Sequence, residues 1–120
     1  MDALGRMTPL IETMLDASTL RHKILAENLA NSETPGFRAR TVRFDAALER
    51  AVANGDVDSA RGAEPEVVAR GNKAKSDGND VNVEQELGEM NRNALAYQTL
   101  LAVALARKKQ MLSAVAGRGV

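Results

Sequence analysis

The strongest constraint on this chain lies near its C-terminus, where Val83, Leu87, Met90, Ala94, Tyr97, Leu101, Ala104, Met111 and Val115 follow one another at helical intervals of four and three. Lys108 is the one polar residue in that series. Such an a/d heptad specifies a long helix that packs lengthwise against others. From Ala94 to Ala106 (ALAYQTLLAVALA) the helix is apolar nearly all round, which is more surface than one partner helix covers. This stretch has 13 residues and lies between Arg92 and Arg107, too short for a membrane span, which needs roughly 20 apolar residues. Asn82 and Gln85 have the spacing of a capping box at the helix start, and Gly117 and Gly119 are expected to end it.

A second helix is expected over residues 8–31. Thr8 reads as an N-cap and Pro9 as the first helical residue, because proline lacks the NH that goes unpaired there. Two neighbouring apolar stripes follow, Leu10, Met14, Ala17 and Ile24 on one and Ile11, Leu15, Leu25 and Leu29 on the next. Pro35 then disfavours helix for Thr34, and Gly36 offers the positive φ of a turn.

Between the helices, Gly55, Gly62, Gly71 and Gly78 leave little room for long regular elements. One short helix over Asp45–Ala53, with Leu48 and Val52 inward, fits there. The remainder, including Glu64–Arg70 and the polar run GNKAKSDGND, reads as an extended or mobile connector. The expected fold class is therefore all-α: an antiparallel, coiled-coil-like hairpin of long N- and C-terminal helices with an irregular middle. It divides into residues 1–37, 38–80 and 81–120 of one structural unit, since 120 residues fit one domain. A hairpin with this apolar surplus is marginal alone and stable in an assembly.

Basic and acidic residues number 16 each, so nothing draws the chain to nucleic acid or to an anionic membrane. The three aromatics and many alanines favour close helix packing over a sheet sandwich. Cysteine is absent, so disulfides and thiolate metal sites are excluded. The N-terminus, MDALGRMTPLIETMLD, has acids at Asp2 and Glu12 and does not read as a cleavable secretory signal.

No catalytic constellation stands out, and no cofactor is expected. His22 is the single histidine and reads as a surface residue. Asp77, Asn79, Asp80 and Glu84 offer oxygen ligands, but DGNDVNVE lacks the order of an EF-hand loop and fits a turn that leads into a helix cap. Arg107, Lys108 and Lys109 fit the negative end of a helix dipole better than an anion site. The amides of Asn28 and Asn31 either cap carbonyls of their own chain or bond a neighbouring subunit, and both readings stay open.

The stretch Leu20–Arg40 (LRHKILAENLANSETPGFRAR) carries Asn28, Leu29, Ala30 and Asn31 followed by Thr34, Pro35, Gly36 and Phe37. It resembles the N-terminal signature of the flagellar axial rod and hook superfamily. The LRHK lead-in, the Asp77–Leu87 segment, the Asn93–Leu100 stretch and the short middle narrow the resemblance to the basal-body rod protein B family of the proximal rod. Hook and distal-rod relatives are much longer. Ser32-Glu33 departs mildly from the pattern.

The resemblance implies a helical, non-enzymatic building block, exported by the flagellar type III apparatus without cleavage. It would polymerise with other rod proteins and copies of itself into the periplasm-spanning rod, and would transmit torque there. Further implied partners are basal-body ring and rod-adaptor proteins, with no nucleic acid and no membrane insertion. Ile11, Met14, Leu15, Ile24, Leu25, Leu87, Met90, Ala94, Tyr97, Leu101, Ala104 and Met111 are the candidates for helix packing and assembly. The rival reading is a small self-assembling helical adaptor or flagellar secretion chaperone, which would stay in the cytoplasm as a defined small oligomer.

Overall fold

The computed structural model describes residues 2–43, 50, 53–54 and 64–118. Helix α1 spans Asp2–Ala30, strand β1 Arg40–Arg43, strand β2 Glu66–Ala69 and helix α2 Val83–Arg118. The molecule is long and thin, 69 × 23 × 16 Å. The two helices run antiparallel: Ile11 lies by Ala104 and Met111 at one end, Ser18 bonds Asn93 midway, and Asn28 bonds Glu86 at the other. This is the hairpin that the two apolar periodicities predict.

The helix ends differ in detail from the sequence reading. α1 begins at Asp2, so Pro9 lies inside it and does not open it. A proline deletes one hydrogen bond and strains one turn, a loss that a long packed helix absorbs. At the other terminus α2 runs through Gly117 to Arg118, because glycine lowers helix propensity without forbidding helix. Gly119 and most of the short helix expected over Asp45–Ala53 lie outside the described residues; Arg50 and Ala53 within it are helical.

The middle segment also adds a strand pair where a connector was expected. β1 and β2 pair antiparallel, with Arg40 opposite Ala69, Thr41 opposite Val68, Val42 opposite Val67 and Arg43 opposite Glu66. Thr41, Val42, Val67 and Val68 are β-branched and suit a pleated, half-buried ladder. Of the two strands β1 lies against α1, and its Val42 is buried.

Leu10, Ile11, Ala17, Ile24 and Leu25 of α1, with Ala39, Val42 and Val81, form the buried apolar core. α2 contributes no fully buried apolar side chain among the described residues; its two buried residues are Glu86 and Asn93. Met90, Leu100, Ala104 and Arg107 are half-buried, so the seam against α1 runs Glu86, Met90, Asn93, Leu100, Ala104, Arg107. That seam keeps heptad spacing and shares Met90 and Ala104 with the apolar series, but takes Glu86, Asn93 and Leu100 in place of their neighbours Leu87, Ala94 and Leu101. Leu87, Ala94, Leu101 and Val115 consequently face out.

Gly36 and Gly78 carry positive φ, 77° and 85°. They touch each other: a Cβ built on Gly78 would come within 3.3 Å of the Gly36 Cα. Gly71 also has positive φ, 80°, but a Cβ there meets nothing within 4 Å. Gly71→Ala is therefore expected to lose about 1–2 kcal/mol through backbone strain alone. Gly78→Ala should lose more, because Gly36 must also move. Urea unfolding of the two variants checks the order; equal midpoints would count against a tight contact between the two turns.

Candidate functional site

Two features of the fold bear on what the molecule does: a polar knot where the signature turn meets the start of α2, and the outer face of α2.

The knot is built around Asn28 and Glu86, both completely buried. The Asn28 amide nitrogen donates to the Arg40 carbonyl at 2.7 Å and to Glu86 Oε2 at 3.0 Å, while its Oδ1 accepts from the Arg40 NH at 3.1 Å. One side chain thus ties the last turns of α1 to the start of β1 and to α2. Arg70, just after β2, supplies the countercharge. Its Nη2 donates to Glu86 Oε2 at 3.0 Å and to Glu89 Oε2 at 2.9 Å, and its Nη1 donates to Glu89 Oε1 at 2.9 Å. Arg70 Nε and Glu86 Oε1 approach to 2.9 Å in an ionic contact away from the hydrogen-bond direction. Burial works against the Arg70 charge, but bonds and charges from Glu89 and Glu86 outweigh it and raise its pKa above the ordinary value.

The signature turn is held from the opposite loop. The Asn79 amide donates to the carbonyls of Asn31 and Thr34, both at 2.8 Å, and its Oδ1 accepts from the Val81 NH at 2.8 Å. Those two carbonyls lie beyond the end of α1, where the backbone has no helical partner. Gly36 NH reaches the Asp77 carbonyl at 2.9 Å, which brings the two turns together. The Asp80 carboxylate accepts from the Ala39 NH and pairs with Arg38 at 3.3 Å. Asn82 caps α2 by accepting from the Gln85 NH at 3.1 Å. The return half of the capping box is absent, because the Gln85 side chain accepts from Asn72 at 2.7 Å.

Asn28, Asn31, Thr34 and Gly36 meet in or beside this knot, and both asparagine amides bond their own chain: Asn31 Nδ2 reaches the Glu27 carbonyl at 2.8 Å. Leu29 and Phe37 are half-buried, and Ala30 and Pro35 are exposed. Of the packing candidates, Ile11, Ile24 and Leu25 are buried, and Met14, Leu15, Met90 and Ala104 are half-buried. Leu87, Ala94, Tyr97, Leu101 and Met111 are exposed. Sequence reasoning passed over Arg70, Glu86 and Glu89, and the Ser18–Asn93 pair, in which the hydroxyl donates to Oδ1 at 3.0 Å and the amide donates back to the Ser18 carbonyl at 2.9 Å. Glu86 and Asn93 lie one heptad apart on α2, a polar spacing visible in hindsight beside the louder apolar one. His22 is exposed, and among the described residues no cluster of acids and histidine has the arrangement of a metal site.

On the outer face of α2, Leu87, Leu95, Leu101, Val103, Leu105, Leu112 and Val115 are each at least 40% exposed. Single exposed leucines are ordinary; a helix-long series is the mark of an interaction surface.

No protein-family model matches the chain. Among curated proteins it is 32% identical to the flagellar basal body rod protein FlgB of Aeromonas hydrophila, over 86% of this chain and 87% of that one. It is also 32% identical to the FlgB of Aquifex aeolicus, over 96% and 97% respectively. The chain belongs to the FlgB family of flagellar basal body rod proteins. The FlgB of Bacillus subtilis is 29% identical over 76% of this chain and 78% of that one. The knot of this FlgB-family chain draws on both halves of the aligned length, since Asn28, Arg70 and Glu86 each come from a different segment.

Replacing Arg70 with Met leaves Glu86 buried without its countercharge and should cost about 3–5 kcal/mol. Combining Arg70→Met with Glu86→Leu removes both charges and should recover much of that loss. Chemical denaturation of the two variants tests this. A double variant no more stable than the single one would mean that the ion pair does not tie the loop to α2.

Proposed function

We propose that this protein is a non-catalytic structural subunit of the proximal rod of the flagellar basal body. Its two long helices polymerise with other rod proteins and with copies of itself, and the resulting wall transmits torque. Membership of the FlgB family supports the basal-body rod as its place. The observation that carries the assembly reading is the exposed apolar series along α2, which its own hairpin leaves uncovered. The polar knot supports the mechanical part. The ion pair of Arg70 with the fully buried Glu86 and the doubly bonded Asn28 hold the hairpin end in one geometry, so that load applied to one helix passes to the other.

The same reading includes export by the flagellar type III apparatus without a cleavable signal and contact with ring and rod-adaptor proteins at the base. Among the described residues no helix is long and apolar enough to cross a membrane. Residues 20–40 carry the axial signature, and α2 supplies the polymer contacts.

Leu101→Asp tests this. The side chain is 41% exposed in the single chain, so the isolated variant should keep its stability to within about 0.5 kcal/mol. In the rod the same carboxylate would be buried without a partner, so incorporation into basal bodies and swimming should be lost. Export should persist. Lys73→Asp, at an exposed position, serves as the nearly silent control. A motile Leu101→Asp strain with the subunit built into its rods would sink the packing reading. Retention of the unaltered protein in the cytoplasm as a small oligomer would favour a chaperone or adaptor.

A further inference from the structure

Helix α2 has a second seam that the hairpin does not use. The column of Glu86, Asn93 and Leu100 faces α1, and the column of Leu87, Ala94 and Leu101, one residue on, faces out. Met90 and Ala104 fit either seam. The two columns lie about 100° apart around the helix, and because the rest of the seam is shared, exchanging them takes a turn of only roughly 50°. The hairpin has room for it. An open groove of about 380 Å³ runs along that flank, between Ser18, Thr19 and His22 of α1 and Ala94, Tyr97 and Gln98 of α2. Ala94 thus already borders the space into which it would turn. The turned hairpin would hide Leu87 and Leu101, which are 48% and 41% exposed, against its own first helix.

Directional bonds oppose the turn. Asn28 Nδ2 and Arg70 Nη2 both donate to Glu86 Oε2 at 3.0 Å. Two turns further along α2, Asn93 accepts from the Ser18 hydroxyl at 3.0 Å and donates to the Ser18 carbonyl at 2.9 Å. Glu86 and Asn93 belong to one column, so these contacts grip the same stripe at two heights. Both side chains are buried. A buried charge with its partners adds little stability over well-packed apolar residues of the same volume, and the best-attested use of such groups is to specify register.

We infer that the buried polar stripe is an orientation lock: Ser18, Asn28 and Arg70 hold Glu86 and Asn93 inward, and so keep the chain from burying Leu87, Ala94 and Leu101 in its own seam. The lock preserves an apolar face that the free subunit would otherwise consume, at a place where two seams compete. Its effect is on which hairpin forms, and its contribution to stability is secondary. Only its last consequence, the use of the preserved face in the rod, rests on the proposed function.

The protein has no cysteine, so introduced pairs report the orientation of α2 in the purified chain. Replacing Ser18 leaves the knot of Asn28, Arg70 and Glu86 as the remaining lock. With the knot intact, Ser18→Cys with Asn93→Cys should close its internal disulfide at least about tenfold faster than Ser18→Cys with Ala94→Cys, because adjacent helix positions point in different directions. Adding Arg70→Met and Glu86→Leu to both pairs opens the lock, and their rates should then agree to within about threefold. A merely stabilising ion pair predicts that the first pair keeps its lead. As a second measurement, Ser18→Ala, Arg70→Met, Glu86→Leu and Asn93→Leu together should leave the urea midpoint at or above that of the unaltered protein. The same variant should be recovered in purified basal bodies at about one tenth of the normal level or less. A lead retained after the lock is opened overturns the inference, as does normal recovery of the folded four-residue variant. Failure of these variants to fold also overturns it, since the stripe would then serve stability. Absence of the unaltered protein from basal bodies would instead overturn the proposed function and leave the cross-linking result standing.

Discussion

A carboxylate with no access to solvent governs how this hairpin is put together. A buried charge is tolerated only with a countercharge and with its remaining lone pairs occupied, and Glu86 meets both conditions through Arg70 and Asn28. Each partner brings a different piece of chain with it. Arg70 carries the end of β2, whose Arg70 NH in turn bonds the Ala39 carbonyl at 2.9 Å. Asn28 carries the last turns of α1 and the start of β1. The rotation of α2 about its own axis follows, since Glu86 has to face inward for any of these bonds to form.

That rotation decides which side chains remain outside. With Glu86 and Asn93 turned toward α1, the heptad partners one position on, Leu87, Ala94 and Leu101, turn away from it. The single chain therefore hydrogen-bonds its seam and exposes much of its apolar surface, the reverse of a self-sufficient globular domain. Its buried apolar core draws on α1, the β1 region and Val81. A small molecule arranged in this way has a modest core of its own and much to gain from neighbours. The asparagines of the signature bond their own chain and hold the turn between α1 and β1.

Both helices were legible because helical periodicity is a local signal repeated over many turns. The cap at Asn82 and the positive φ at Gly36 were legible for the same reason, each resting on chemistry within a few residues. The strand pair was not. Arg40–Arg43 and Glu66–Ala69 are four residues each, too short for alternation to register, and each becomes a strand only by finding the other across an intervening segment. Asn79 and Asp80 have the local chemistry of a turn, but the partners they bond, around Asn31, Thr34 and Ala39, are far away in the sequence.

The sequence by itself determined two long helices, the turn between the first of them and the middle segment, an apolar surplus and a close likeness to rod proteins, because each of these is written in residues near one another along the chain. Tertiary structure alone decided the seam. On α2 the apolar series and the stripe that carries Glu86 and Asn93 lie side by side and share Met90 and Ala104, and hydrophobic burial is non-directional, so it does not choose between neighbouring faces of one helix. Hydrogen bonds and ion pairs are directional, and the distant partners Asn28, Ser18 and Arg70 chose the polar stripe for the inside.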